Sequence, residues 1–463
     1  MKLALTGLSA VFLVEMLDNS ILNVALPTIG RDLHASTVAL QWVTGAYAVV
    51  FGGLMLAFGA LADRYGRRRL MLTGLVLLGL ASLATAFVTT AAQLIAVRAV
   101  TGVAAAMTTP GSMALAFRLF DDDARRVRAT TLISTVGLAG LAVGPTAGGL
   151  LLAVAPWQAL LLINVPIAAL AFLGIRAGIA PDDPAGLHRD PADVTGALLG
   201  TATVVLALLA PAEFVSGGLP WITTAAAVVA GVLFVARQRT ARHPMLDLAL
   251  IGRPLVSAGL AYKAAAGLAT AGLGYLVTLQ LQLDWGWTPT EAALGMLPQV
   301  AVLIAGGAVV GPLVQRAGMD RAALLSAASV VAGLAVYAAF GRLGYAWIAL
   351  ALVLVAAGLR VVGVVAAVNV LRGLPENRTS IGAALTDTAS QVTSGAGLAV
   401  TGTIIAAVFT GSVASSGWTG HQTAQFEQAV TIAALTLTIV AAALAGWAFR
   451  VTARSEKSRS AAA

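Results

Sequence analysis

Charge and hydrophobicity are sharply segregated along this chain. Long blocks of Ala, Leu, Val and Gly alternate with short stretches that hold most of the Arg, Lys, Asp and Glu. A helix rising 1.5 Å per residue needs about 20 apolar residues to cross a hydrocarbon layer of about 30 Å. Blocks of that size fall at 5–27, 39–61, 70–88, 91–117, 129–153, 157–177, 194–212, 219–236, 255–281, 290–313, 322–340, 346–371, 382–407 and 428–449. The pattern predicts an all-α polytopic membrane protein with fourteen crossings and both ends on one side. The first block follows Met1-Lys2-Leu3 directly, contains Glu15 and Asp18, and lacks a small-residue cleavage site, so it reads as a first crossing and not a signal peptide.

Composition supports the pattern. Of 463 residues, 59% are hydrophobic and 10% charged, with a mean hydropathy of +0.90, whereas soluble domains carry about 25% charged residues. A formal charge of +8 raises nucleic acid as a partner, but the placement of the basic residues argues for topology and against nucleic acid. Twenty-three of the 28 Lys and Arg fall on the side shared by the termini, Arg31 and Arg342 fall opposite, and Arg98, Lys263 and Arg360 lie within crossings. That bias places both termini in the cytoplasm. Trp42, Trp157, Trp221, Trp285, Trp287, Trp347 and Trp418 sit at or near the opposite helix ends, as interfacial anchors do. Cysteine is absent, and His34, His188, His243 and His421 all fall in loops, so no metal site and no cofactor are expected. Neither a phosphate-cradling loop nor a Ser-His-Asp array is present, which disfavours an ATP-driven pump or any other enzyme.

The stretch Gly59-Ala-Leu-Ala-Asp-Arg-Tyr-Gly-Arg-Arg-Arg-Leu-Met-Leu72 joins the second and third blocks and concentrates Asp63, Arg64, Arg67, Arg68 and Arg69 in seven residues. An isolated basic loop is a topological anchor. The longer pattern G-x-L-x-D-R-x-G-R-R-x-L resembles the signature between helices 2 and 3 of the major facilitator superfamily. The resemblance implies conformational gating by Gly59, Asp63, Arg64, Gly66 and Arg67. A degenerate copy at 311–324 aligns at an offset of 252, keeping Gly311, Leu313, Arg316, Gly318, Arg321 and Leu324 but putting Gln315 where Asp63 stands. A duplicated six-helix unit leaves such a trace. The offset pairs helix 2 with helix 10, so helices 7 and 8 are an insertion. The expected organisation is a six-helix bundle at 1–177, a linker with the two inserted helices at 178–254, a second six-helix bundle at 255–449 and a cytoplasmic tail at 450–463.

In helix 1, Glu15, Asp18, Asn19 and Asn23 share one face. Acids at this depth point into protein, either toward a cavity or into an interhelical hydrogen bond. Leu17-Asp-Asn-Ser-Ile-Leu-Asn-Val-Ala-Leu-Pro27 resembles the first-helix signature of drug:proton antiporters in this superfamily. Arg98 in helix 4, within Arg-Ala-Val-Thr-Gly, is similar to the arginine associated there with proton transfer. Counted from the helix ends, Asp18 lies about 13 Å and Arg98 about 10 Å deep. An arginine beside an acid favours its ionised form and, on moving away, favours protonation, which makes a proton switch; a static buried ion pair fits the same residues. In helix 5, Gly137, Gly140, Gly144, Pro145, Gly148 and Gly149 permit close packing and a kink. Their pattern also resembles the motif that marks antiporters rather than symporters. Trp157-Gln-Ala-Leu-Leu-Leu-Ile-Asn-Val-Pro166 is similar to the fourteen-helix branch, where arginine is more usual than Gln158.

The second half carries Lys263 in helix 9, Arg360 in helix 12, and Asp387, Ser390, Gln391 and Ser394 along one face of helix 13. The resemblance implies that helices 1, 4, 9 and 12 line a central cavity, with Asn19, Asn23, Lys263, Arg360, Asp387 and Gln391 facing substrate. Depth along the helices brings Lys263, Arg360 and Asp387 within mutual reach, and because arginine does not readily deprotonate Arg360 is assigned to Asp387, leaving Lys263 for an acidic or electron-rich substrate or in a neutral form. The expected function is therefore proton-coupled export of a small amphipathic drug or antibiotic by alternating access, with Asp18, Glu15 and Arg98 coupling the proton. A solute:proton symporter of the same fold and a transporter-like membrane sensor are the alternatives. Small-molecule substrate, protons and lipid are the expected partners of a monomer. Three lysines against 25 arginines suggest a high-GC bacterium and its plasma membrane.

Overall fold

The computed structural model describes residues 2–119, 123–182, 193–216, 218–242, 244, 248–306, 316, 318–374, 379–411 and 418–460. The side chains of Asn19 and Asp63, and most of the degenerate repeat at 311–317, lie outside what it describes. Every long element is a helix. In order these are α1 (Lys2–Asp32), α2 (Thr37–Tyr65), α3 (Arg67–Ala84), α4 (Ala91–Arg118), α5 (Asp123–Leu152), α6 (Gln158–Gly178), α7 (Val194–Ser216) and α8 (Pro220–Thr240). There follow α9 (Pro254–Leu279), α10 (Pro289–Ala305), α11 (Met319–Phe340), α12 (Tyr345–Gly373), α13 (Thr379–Val408) and α14 (Gly420–Ser460). Thirteen are long and apolar enough to cross a membrane, and α10 is a shorter apolar helix. Without water in the hydrocarbon, helices satisfy their own backbone donors and acceptors, which is why these blocks are helical throughout.

The helix starts on the side away from the termini are written into the sequence. Ser36 caps α2 by accepting from Ala39 N at 3.2 Å. Thr90 and Gln93 form a reciprocal box at α4. Thr288 with Glu291 repeats it at α10, and Thr419 with Gln422 at α14. Each satisfies amide donors that have no partner inside the first turn. Gly66 both ends α2 and begins α3, with φ +98° that only glycine adopts without strain.

The chain divides into two compact units. One comprises residues 1–245 with the segment 286–294, and the other takes most of the remainder. In the first, α1 packs on α5 and α6, α2 on α4, and α3 on α4 and α6. The α7–α8 pair packs on itself and touches α2 through α7, where Thr201 Oγ1 donates to Gly53 O at 2.8 Å. The pair is tied at both ends. Asp193 caps α7 and receives Arg237 Nε at 2.9 Å and Gln238 Nε2 at 3.1 Å from α8; at the turn, Glu213 accepts from Thr223 Oγ1 at 2.6 Å. In the second unit, α9 packs against α12, α13 and α14, and α11 against α12 and α14. α1 and α9 are the most enclosed helices, 71% and 89% buried, while α8 is 6% buried. The two enclosed helices are eight places apart, the same step as between helices 2 and 10 in the repeat. α9 ends in a π-helical turn, Gln280–Asp284, fastened by Gln280 Nε2 to Gly341 O and by Tyr337 Oη to Gln280 Oε1.

Candidate functional site

Two acids of α1 are enclosed, Glu15 at 5% and Asp18 at 2% exposure. A buried carboxylate is costly unless paired and hydrogen-bonded. Asp18 is both. Its Oδ2 lies 2.6 Å from Arg98 Nη1 of α4, and its Oδ1 accepts a 2.7 Å hydrogen bond from Asn164 Nδ2 of α6. Arg98, itself 2% exposed, donates its Nε to Val43 O of α2 at 3.2 Å and lies 4.7 Å from the ring centre of Tyr47. Glu15, one turn earlier, accepts from Thr109 Oγ1 of α4 at 2.8 Å. Three helices thus meet at one carboxylate, and α2 joins them through Arg98.

The sequence pointed to Asp18, Glu15 and Arg98, and the structure brings Asp18 and Arg98 into contact. Asn164, Tyr47 and Thr109 were not singled out. Asn164 interrupts the apolar stretch of α6 before Pro166, a signal that in retrospect marks it. Asn23 is half-buried in α1.

The position of α1 is set by glycines on its neighbours. A Cβ on Gly140 of α5 would lie 2.9 Å from Leu13 O, and one on Gly148 2.9 Å from Ile21 Cγ1. A Cβ on Gly144 would run into the Ser20 hydroxyl, which is bonded to Met16 O and Leu17 O at 3.1 Å. Across α1, a Cβ on Gly174 of α6 would lie 2.7 Å from Leu3 O. With Pro145 inside α5, this stripe lets the backbones of α1 and α5 approach closely.

At the loop after α2, Gly59 faces Pro110 of α4, Arg64 is exposed, and Arg67 is half-buried. The partner that fills the space beside Gly66 is Asp182, in the segment after α6. Its Oδ2 accepts from the amides of Arg68 at 3.0 Å and Arg69 at 3.4 Å, while Arg68 Nη2 donates to Arg176 O at 2.8 Å. A carboxylate at a helix start suits the exposed amides and positive dipole end there.

In the second unit the expected pairing is corrected. Among the described residues no ion pair joins Asp387 to Arg360, and the helix packed on the Asp387 face is α9. The reason is packing. α9 and α13 are direct neighbours, with Gly267 against the Ser390 carbonyl and Ser394 Oγ donating to Gly267 O at 3.2 Å. The polar face of α13 therefore turns toward α9, which carries Lys263. Depth along each helix and the fixed charge of arginine, on which the Arg360–Asp387 assignment rested, say nothing about rotation around the helix axis. Gln391 is buried, and Arg360 is half-exposed beside Gly306. Among the described residues no group of His, Asp or Glu could hold a metal.

Over 89% of this chain and 84% of its own, the "Methyl viologen resistance protein SmvA" of Salmonella typhimurium is 30% identical. The "Multidrug efflux pump LfrA" of Mycolicibacterium smegmatis is 31% identical over 91% of this chain and 84% of its own. The "Cephamycin export protein CmcT" of Amycolatopsis lactamdurans is 33% identical over 73% of this chain and 68% of its own. The multi-pass chain also matches the family description "Major Facilitator Superfamily" across residues 8–398. Nearly the whole sequence, and not one motif, thus makes this chain a member of the Major Facilitator Superfamily, a family of transporters and not of enzymes.

Proposed function

We propose that this protein is a proton-coupled antiporter that exports a small amphipathic compound, a drug or antibiotic, by alternating access of its two halves. The observation that carries the reading is the Asp18 carboxylate, held in the protein interior by Arg98 at 2.6 Å and Asn164 at 2.7 Å. Relatives whose names describe resistance, efflux and export support the direction of transport. In this mechanism ionised Asp18 is matched by Arg98. A proton arriving on Asp18 removes that match and frees α1 to shift against α4, and Arg98 returning to Asp18 expels the proton. Glu15, hydrogen-bonded to Thr109, is the adjoining acid. Asn19, Asn23, Lys263, Arg360, Asp387 and Gln391 are assigned to the substrate cavity. Gly59, Asp63, Arg64, Gly66 and Arg67, with Gly140, Gly144, Pro145 and Gly148, are assigned to conformational gating. The protein works as a monomer in a bacterial plasma membrane, with both termini in the cytoplasm.

The test is substrate-driven proton release from proteoliposomes with a xanthene dye as substrate. Asp18→Asn keeps the shape and one of the two acceptor oxygens but cannot titrate, so proton release should vanish while the protein remains folded and still binds dye. Proton release at the wild-type rate from this variant would falsify the assignment to Asp18.

A further inference from the structure

We propose that Arg360 anchors an oxyanion on the transported compound, a carboxylate, sulfonate or phosphate. This rests on the reading of the chain as an exporter of small molecules and names the class of its substrate. Arg360 lies near the middle of α12, about 22 Å from its start at 1.5 Å per residue, so its guanidinium sits at the depth of lipid tails and not of headgroups. The enclosed face of α12, with Val361, Val362, Val365 and Ala366, is buried against α9 and α11. Arg360 lies off that face and is half-exposed, and its Cγ would be 3.6 Å from a Cβ on Gly306. A guanidinium keeps its charge in proteins and is expensive against hydrocarbon, so the space beside it is reached by water or by a polar ligand.

What should neutralise it is missing among the described residues. No ion pair joins Arg360 to a carboxylate there. Asp387 lies on the face of α13 that turns to α9 and Lys263, while Asp284 and Glu427 lie together at one end of the unit, where Glu427 is 3.8 Å from Arg342 Nη1. A planar fork of donors, charged at any working pH and without an acid beside it, matches an oxyanion through two parallel hydrogen bonds. Gly306 leaves room on one side of the guanidinium stem that a larger residue would take.

The experiment compares two probes that differ in a single group, a rhodamine with a free carboxylate and its methyl ester. Binding to the purified full chain in detergent is followed by fluorescence anisotropy, with no proton gradient. The free acid should bind about tenfold tighter than the ester, the worth of one hydrogen bond between charged groups. Arg360→Gln should erase that preference. Arg360→Met fills a similar volume and inserts more readily than arginine, so it carries the same test should the glutamine variant fail to fold. Equal binding of acid and ester by the wild type overturns the proposal, and so does a preference that survives in either variant. The result is independent of proton release. A chain that prefers the acid but releases no protons keeps the anchor and loses the antiport reading; one that releases protons without the preference does the reverse.

Discussion

The Asp18 carboxylate shows how differently residues of one site announce themselves. Asp18 and Arg98 stood out because a charge inside an apolar block is costly and needs a reason. Asn164 and Tyr47 did not, since neutral polar and aromatic side chains are unremarkable in a helix until the fold shows what they touch. Asn164 matters nonetheless. Its Nδ2 is the hydrogen-bond donor, besides Arg98, that meets the buried carboxylate at 2.7 Å. Asn164→Leu should lower stability by about 1.5–3 kcal/mol, the range for hydrogen bonds to charged groups. Thermal unfolding in detergent measures the loss. In an Asp18→Asn background the same substitution should cost clearly less, because the two positions act through one contact. Additive losses would show that Asn164 contributes only to packing.

At the scale of elements, hydropathy located all fourteen helices but not their ends. α1 runs from Lys2 to Asp32 and α14 on to Ser460, beyond the apolar blocks at 5–27 and 428–449. Hydropathy sees only the part that lies in hydrocarbon, while a helix continues for as long as its backbone is satisfied. Rotation about the helix axis was also hidden, so depth could not tell which helix the Asp387 face turns to. The glycine pattern of α5 was legible as a packing device, but its target was not, since small residues carry no label for what approaches them. The structure gives the target as α1. Gly144→Ala would drive a methyl group into the Ser20 hydroxyl, and overpacking of this kind costs about 1–3 kcal/mol. Ser20→Ala removes the obstructing oxygen, so the double variant should recover at least half of the stability lost in Gly144→Ala. Unfolding temperatures of the four proteins in the cycle decide it; no recovery would place the clash elsewhere.

For the molecule as a whole, the repeat and the basic-residue bias gave helix count and order, because both are written in sequence spacing. The segment that touches the loop after α2 was invisible, since it lies more than a hundred residues away in an unremarkable linker. Asp182 accepts from two amides at the start of α3 and occupies the space beside Gly66. Asp182→Ala should cost about 1 kcal/mol as a lost helix cap. On the proposed gating role of the loop, it should slow dye export several-fold with the half-saturating dye concentration unchanged. Export from vesicles over a range of dye concentrations separates the two; a weakened affinity at normal turnover would assign Asp182 to substrate and not to the gate.

The α7–α8 pair has a further consequence. Asp193 fastens the two helices together at one end, Glu213 fastens the turn at the other, and α8 is scarcely buried by anything else. The hairpin holds its own shape and meets the rest of the first unit through one face of α7. It also adds two crossings, an even number, so every helix after it keeps the orientation it would have had without it. Removing this hairpin as a unit would therefore leave the orientation of the half that follows unchanged.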